Sequence, residues 1–358
     1  MRYKLNYQPF YAYESIDILK NILNGDTIKN EMDSIIERRG SRYKPAAKKI
    51  FSQSIALEKH VSKNVKFDLP GYEENGRQIA EFLFKARSEN KFCFADAIFH
   101  YNRHLLYGID NKEIAILDEM IDDDLYERND ESKALPVIGS ATEFFMLLEK
   151  YDNSDEDKLG AIRLYYNFDM YLNYTTVLLG QIENLINNIL PDFQLDSIMS
   201  HIYHQFEKDS KAFLLNNLNI ILDDTHVYSI YPGIYKPNTL SSWGTEHTDI
   251  SVIFGIHLLD IIDVLDQMET NDEKTELFLK ALSDNTKLSI LKLLKDGPMY
   301  GSQLAEKLNC TGANISHHMS PLMSLNLVHI EKENNRVYYH LNKEIICQYL
   351  DDAKGLFL

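Results

Sequence analysis

The chain has 358 residues, 44% hydrophobic and 25% charged, a globular composition long enough for two or three domains with a sizeable core. A net charge of −17 excludes a non-specific coat on nucleic acid. No basic start leads into an apolar stretch and no run of about 18 apolar residues occurs, so neither a secretory leader nor a membrane span is expected. Cys93, Cys310 and Cys347 are far apart and form no Cys-x-x-Cys pair. That suits a reducing cytoplasm and gives no zinc-ribbon signal. Abundant Asn, Ile, Lys and Tyr fit an AT-rich bacterial genome.

The start, MRYKLNYQPFYAY, alternates as a strand does. Helical periodicity then governs roughly 14–24, 26–38, 44–58, 73–88, 92–107 and 140–150. LPGYEENGR at 69–77 and YDNSDEDK at 151–158 read as loops. Residues 156–190 carry apolar residues at helical spacing up to Pro191, and a further helix is predicted over 194–222. At 225–257 the character changes. THVYSIYPGIYKP and DISVIFGI are β-branched and aromatic, which predicts a strand pair with a long loop. Helix resumes at about 257–268. METNDEKTE, 268–276, is polar and is the predicted domain boundary. The acidity lies before it: residues 277–358 hold nine Lys and Arg against eight Asp and Glu, while 1–276 hold 28 against 46.

The remainder reads helix, turn, helix, turn, helix, hairpin, helix. TELFLKALSDNTKLSILKLLKDG contains two short helices. Asp284 is placed to cap the second, which buries Leu288, Ile290, Leu291, Leu293 and Leu294 and stops at Gly297-Pro298. GSQLAEKLN is a short helix burying Leu304, Ala305 and Leu308. Thr311 caps the next helix, whose buried face is Ile315, Met319, Leu322 and Met323. Pro321 lies within it, removes one amide and crowds the carbonyl of His317, so a kink or early end is expected. LVHIEKENNRVYYHLN alternates on both sides of Asn334-Asn335, the pattern of a tight hairpin. The series is a winged helix-turn-helix. In such a module the second helix of the pair enters the major groove and offers its first turns to base edges. Those turns are small and polar here: Thr311, Gly312, Ala313, Asn314, Ser316 and His317. Asn can pair bidentately with adenine, and Ser or His can donate to acceptors.

FLKALSDNTKLSILKLL, SQLAEKL and NISHHMSPLMSLNLVHIEKENNRVYYHLN closely resemble the ArsR family of bacterial winged-helix regulators over about 276–342. ALSDNTK, ISHHM and NRVYY stand where family members show ALADPTR-, VSHHL- and GR-x-x-YY-like stretches. The resemblance implies a homodimeric, effector-controlled transcription factor. The family's metal sensors carry Cys-x-Cys before the helix matching QLAEKL, whereas this chain has PMYGSQ, locally like the PadR family. The stretch matching the family's C-terminal metal site, LNKEIICQYLDDAKG, has no histidine. The helix 311–326 has no Lys or Arg, so phosphate contacts are expected from Lys287, Lys307, Lys332 and Arg336.

Other candidates carry plainer readings. His317-His318 cannot chelate from adjacent helical positions, which point about 100° apart. CFADAIFHYNRH offers Cys93, Asp96, His100 and His104 on one helix face, the histidines at i, i+4 spacing, as a metal candidate, against a preferred reading as a half-buried stripe with its polar ends hydrogen-bonded. HIYHQFE, with His201, His204 and Glu207, reads as a solvated face. AIRLYYNFDMYLNY could line an effector pocket but reads first as core or dimer interface. YPGIYKPNTLSSWG, with Trp243, is either a ligand cover or an interdomain strut. No phosphate-cradling glycine loop or nucleophile elbow occurs, and the DDD at 122–124 is a solvated run, so no catalysis is expected.

The expected fold is therefore mainly α with small β elements. An acidic, mostly helical sensing or dimerisation domain, 1–270, carries the strand pair and precedes a winged helix-turn-helix at 275–358. The expected partners are double-stranded DNA as a pseudo-palindromic operator, a second copy of the chain, and a non-thiolate small-molecule or protein effector, with no cofactor and no membrane. The alternative is an interaction scaffold whose winged helix binds a partner protein instead of DNA.

Overall fold

The computed structural model describes residues 2–87, 93–106, 110–120, 138, 140–150, 153–218, 220–222, 226–243, 250–268, 270–333 and 336–356. At His104, Trp243, Ala313, Lys332 and Arg336 it describes the backbone only. Among the described residues the chain is mainly α-helical with two small sheets, and it divides into two compact units. No described helix is long and apolar enough to cross a membrane.

The first unit comprises residues 8–195 and 232–239. It contains α1 (Tyr11–Asn24), α2 (Ile28–Arg39), α3 (Lys44–Asn64), α4 (Gly76–Phe84), α5 (Phe94–Leu106), α6 (Lys112–Met120), α7 (Ala141–Leu148), α8 (Asp155–Tyr166) and α9 (Phe168–Ile189). Its core includes Leu19, Phe51, Leu57, Leu83, Phe94, Leu178 and Ile182. α8 starts inside the stretch expected as a loop, because Ser154 Oγ accepts from the amide of Asp157 at 3.1 Å and caps it. The helical run expected over 156–190 breaks at Asn167, whose Nδ2 donates to the Arg163 carbonyl at 2.9 Å. α9 buries Phe168, Tyr171, Tyr174, Thr175, Leu178, Ile182 and Ile186, a stripe at helical spacing, so the aromatic segment is core on this face. The Tyr174 hydroxyl satisfies the carbonyls of Phe67 (3.0 Å) and Gly76 (2.8 Å). Gly76 must be glycine: a Cβ there would lie 2.0 Å from the Phe67 carbonyl oxygen.

The segment 232–239 returns to this unit as a strap. Ile234 and Tyr235 are 0% and 1% exposed. The buried carboxylate of Glu14 accepts from both of their amides, at 3.1 and 2.9 Å. Ser54 Oγ donates to the Ile234 carbonyl at 2.7 Å, and Glu58 accepts the Tyr235 hydroxyl at 2.5 Å and the Ile28 amide at 3.1 Å. The amides of Ile234 and Tyr235, the Ile234 carbonyl and the Tyr235 hydroxyl thus each meet a partner from α1 or α3.

The second unit comprises residues 1–7, 196–231 and 240–358. Its first sheet runs β1-β3-β5-β4, from β1 (Arg2–Leu5), β3 (Val227–Gly233), β4 (Leu240–Trp243) and β5 (Ile250–Gly255). β1 is parallel to β3 with Leu5 opposite Ile230, and β4 is antiparallel to β5. The expected strand pair is therefore three strands completed by the N-terminal one, which spans only four residues before helix begins at Tyr11. α10 (Leu195–Lys208), α11 (Ser210–Leu218) and α12 (Leu258–Met268) belong here. The helix expected over 194–222 stops at Leu218, and β2 (Ile220–Leu222) follows it.

The polar stretch expected as a boundary is a helix start. Thr270 Oγ1 accepts from the Glu273 amide at 3.2 Å and the Glu273 carboxylate accepts from the Thr270 amide at 2.9 Å, a capping box that opens α13 (Asn271–Ser283). The two compact units thus do not separate at 270–275 as expected. Instead β2 pairs in parallel with a strand of the C-terminal hairpin, Ile220 opposite Ile330.

Candidate nucleic-acid interface

The C-terminal module continues with α14 (Asn285–Lys295), β6 (Met299–Tyr300), α15 (Gly301–Leu308), α16 (Gly312–Ser324), β7 (Val328–Glu333), β8 (Arg336–Leu341) and α17 (Lys343–Gly355). Its core gathers Phe278, Ile290, Leu294, Leu304, Ile315, Met319, Leu322, Leu327 and Val328, with Met323 and Tyr339 packed against it. The second sheet has the order β2-β7-β8-β6.

Two asparagines in left-handed conformation frame α16. Asn309 (φ 51°) turns the chain out of α15, and Asn326 (φ 57°) closes α16, where the Leu327 amide reaches the Leu322 carbonyl at 3.0 Å. Thr311 Oγ1 caps α16 by accepting from the Asn314 amide at 3.2 Å. Pro321 does not end the helix, which runs three residues further to Ser324. The packing of Met319 and Leu322 on the module core outweighs one missing backbone bond.

Thr311, Asn314, Ser316 and His317 are exposed, and Ile315 between them is buried. The front of α16 therefore offers polar side chains outward from a fixed apolar seat. Gly312 is half-buried, and the side chain of Ala313 lies outside the described residues. His317 and His318 stand at right angles, ring centroids 5.4 Å apart. His317 faces solvent while His318 is half-buried.

Asp284 links the start of α14 to α16. Its Oδ1 accepts from the amides of Thr286 and Lys287, both at 3.0 Å, and its Oδ2 pairs with Lys287 Nζ at 2.8 Å. The Lys287 ammonium and amide hold this carboxyl down to about 2. His318 Nδ1 lies 3.8 Å from Asp284 Oδ1. The cap was readable from ALSDNTK, but its link to His318 was not, because no local spacing relates 284 to 318.

The expected cations are placed differently from one another. Lys307 is exposed on α15, whereas Lys287 is tied to Asp284 with its side chain 16% exposed. Lys332 lies in β7 and Arg336 in β8, where Glu333 pairs with Arg336 in register, while Asn334 and Asn335 lie outside the described residues. His329 and His340 stack across the hairpin at 5.1 Å, and His340 Nε2 meets Glu331 at 3.0 Å. Burial, with the neighbouring His340, lowers the pKa of His329.

Asp96 accepts Lys20 Nζ at 2.7 Å and the Cys93 thiol at 3.1 Å. The side chain of His104 lies outside the described residues, as do residues 122–124. Among the described residues no three His, Cys, Asp or Glu side chains gather to hold a metal ion. His201, His204 and Glu207 are exposed on α10. Cys93 is buried in the first unit, Cys310 half-buried in the module and Cys347 exposed.

The family described as bacterial regulatory protein, arsR family, matches residues 284–329. The transcriptional repressor SdpR of Bacillus subtilis is 36% identical over 67 residues, 19% of this chain and 74% of that protein. The transcriptional activator HlyU of Vibrio cholerae is 32% identical over 78 residues, 22% of this chain and 72% of that protein. A solved structure of HlyU from Vibrio cholerae N16961 shows 28% identity over 25% of this chain and 98% of that one, with a TM-score of 0.21. The family likeness concerns the C-terminal part. Through that module, the chain belongs to the ArsR family of DNA-binding transcription regulators.

Proposed function

We propose that the protein is a cytoplasmic regulator that binds a pseudo-palindromic operator as a homodimer. In this reading the front of α16 reads bases through Asn314, Ser316 and His317, with Thr311, Gly312 and Ala313 allowing close approach. Lys307, Lys332, Arg336 and, less directly, Lys287 meet phosphates. The observation that carries it is the division of α16 into an exposed polar front and a buried apolar body. Exposed Leu277 (38%) and Leu350 (44%) support self-association, since they lie on α13 and α17, the helices joined by the Phe278–Tyr349 stack at 5.0 Å. The unit holding α1 to α9 receives a non-thiolate effector.

The test is selection of genomic DNA fragments by the full chain. One recovered palindrome is the expected result. Asn314→Ala should then lose about 1–3 kcal/mol of discrimination at one base position. Featureless recovery would favour a second reading, an interaction scaffold whose winged helix binds a protein. One observation speaks for that reading: α16 carries no Lys or Arg, and Lys287 is already paired.

A further inference from the structure

In a chain of net charge −17, residues 38–66 hold nine Lys and Arg against one acidic residue, Glu58. Six of those cations lie on α3 or directly after it. The helix turns Ile50, Phe51, Ser54, Leu57, Glu58 and Val61 inward. Its opposite face carries Lys48, Lys59 and Lys63, with Lys44 and Lys49 on the flanks and Lys66 just beyond the helix end, and all six are exposed. At about 100° per residue, Lys48, Lys59 and Lys63 fall within about 60° of one another around the helix. With a rise of about 1.5 Å per residue they cover about 22 Å of its axis. Ser52 and Ala56, both small and exposed, lie between Lys48 and Lys59.

This charge is not neutralised from within. None of the six lysines forms an ion pair among the described residues. Glu58 is 8% exposed and accepts the Ile28 amide and the Tyr235 hydroxyl, so the one acid of the helix is spent on the inward face.

The composition of the outer face selects the partner. No large apolar side chain is exposed on α3, so it has no edge to sink into a lipid surface. No Phe, Tyr or Trp is exposed on it for a single-stranded base to stack on. Lysines without arginine or aromatic anchors make a poor seat for a protein. A row of compact ammonium charges on flexible stems suits a regular array of phosphates. A duplex carries one negative charge per about 1.7 Å of its axis, so a stripe of this length lies along several of them. The acidity of the whole chain does not oppose contact, because at about 0.15 M salt its field fades over about 8 Å. The recognition helix α16 brings no Lys or Arg of its own, which leaves phosphate neutralisation to other surfaces.

We propose that the Lys48, Lys59 and Lys63 face of α3 is a second DNA-binding surface, which holds the phosphate backbone of duplex DNA without reading its sequence. This rests on the reading of the chain as a DNA-binding regulator and goes beyond α16, since the contact needs no operator. It supplies the sequence-independent affinity that a cation-free α16 lacks.

The test is the binding of the full chain to a fluorescein-labelled, random-sequence duplex, followed by anisotropy across salt concentrations. Lys48→Gln, Lys59→Gln and Lys63→Gln are combined, because Gln has nearly the helix propensity of Lys, and circular dichroism and urea unfolding check the fold. The slope of log K against log salt should become shallower by about 2.7, at about 0.9 for each phosphate, and affinity at about 0.1 M salt should fall at least about tenfold. Lys29→Gln, Lys150→Gln and Lys208→Gln, combined as a control, remove the same charge from exposed positions off α3 and should leave the slope nearly unchanged. Failure of the operator reading shows separately, as featureless recovery of genomic fragments, and leaves the random-duplex result standing. No duplex binding by wild type at low salt, or equal effects of the α3 and control triple variants, overturns the proposal. So does binding of labelled polyglutamate that the α3 variant loses while its duplex affinity stays that of wild type, which assigns the stripe to an acidic polypeptide.

Discussion

Asp284 and Glu14 make the same two hydrogen bonds with opposite outcomes. Each carboxylate accepts two consecutive backbone amides at about 3 Å, Asp284 from Thr286 and Lys287, Glu14 from Ile234 and Tyr235. Asp284 lies at a helix start with a lysine on its other oxygen, and its pKa falls to about 2. Glu14 is 2% exposed, and burial outweighs its amide bonds and raises its pKa to about 8. Amide donors alone do not fix a carboxylate's charge; its access to water decides whether they suffice. The first carboxylate organises a local turn, whereas the second fastens a strap more than 200 residues away.

The largest expected effect follows from that second role. Glu14→Ala removes both acceptors and leaves two buried amides unsatisfied, at a cost of about 2–5 kcal/mol. Urea unfolding should show the midpoint fall without a change of slope. A loss below about 1 kcal/mol would mean that water enters and satisfies the strap, and that the two carboxylates are more alike than their burial indicates.

The pH dependence sharpens the contrast next. Glu14 has a raised pKa, so between about 4.5 and about 8 the folded chain holds a proton that the unfolded chain has released. Its contribution to stability is therefore greatest on the acid side and declines as pH rises through that window. Asp284 has the opposite sign: its contribution is complete above about 3.8 and is lost as pH falls towards about 2. Unfolding of wild type and Glu14→Gln across pH 4–9 isolates the first term. The difference between them should shift against wild type with rising pH and then level off. A flat difference would show that Glu14 loses its proton in the folded chain at the same pH as in the unfolded chain.

Asp284→Ala should be milder than Glu14→Ala, about 1 kcal/mol, because the freed amides of α14 reach solvent. Its second effect should fall on α16. His318 then loses the carboxylate 3.8 Å away, so operator binding should weaken although Asp284 reads no base. Thermal unfolding and operator titration of the same variant separate the two.

What could be read from the sequence follows the same line between local and distant partners. The caps at Asp284 and Thr311, the hairpin around Asn334-Asn335 and the buried face of α16 all obey spacings of a few residues, and the family likeness reinforces them. The strap was not legible, because no pattern in YPGIYKPNT relates it to Glu14 or Glu58. The three-residue β2 is too short to break the helical periodicity before it. Two of the differences do carry a local signal. Ser154-x-x-Asp157 and Thr270-x-x-Glu273 have the spacing of helix caps, masked in both places by the polarity of the residues around them.

The smallest expected effect concerns two lysines that composition treats alike. Each phosphate that a cation neutralises adds about −0.9 to the slope of log K against log salt. Lys307 is exposed and forms no ion pair among the described residues, so it is free to meet a phosphate. Lys307→Met should therefore flatten the slope by about 0.9 if that lysine neutralises one phosphate. Lys287 already neutralises Asp284 at 2.8 Å and lies mostly buried, so it displaces few counterions when DNA arrives. Lys287→Met should change the slope less than Lys307→Met, even where it lowers affinity by exposing the Asp284 carboxylate to phosphates. Operator titrations at several salt concentrations decide the matter. Equal flattening by both substitutions would show that the Asp284–Lys287 pair opens on DNA, and that the cap at the head of α14 is remade in the complex.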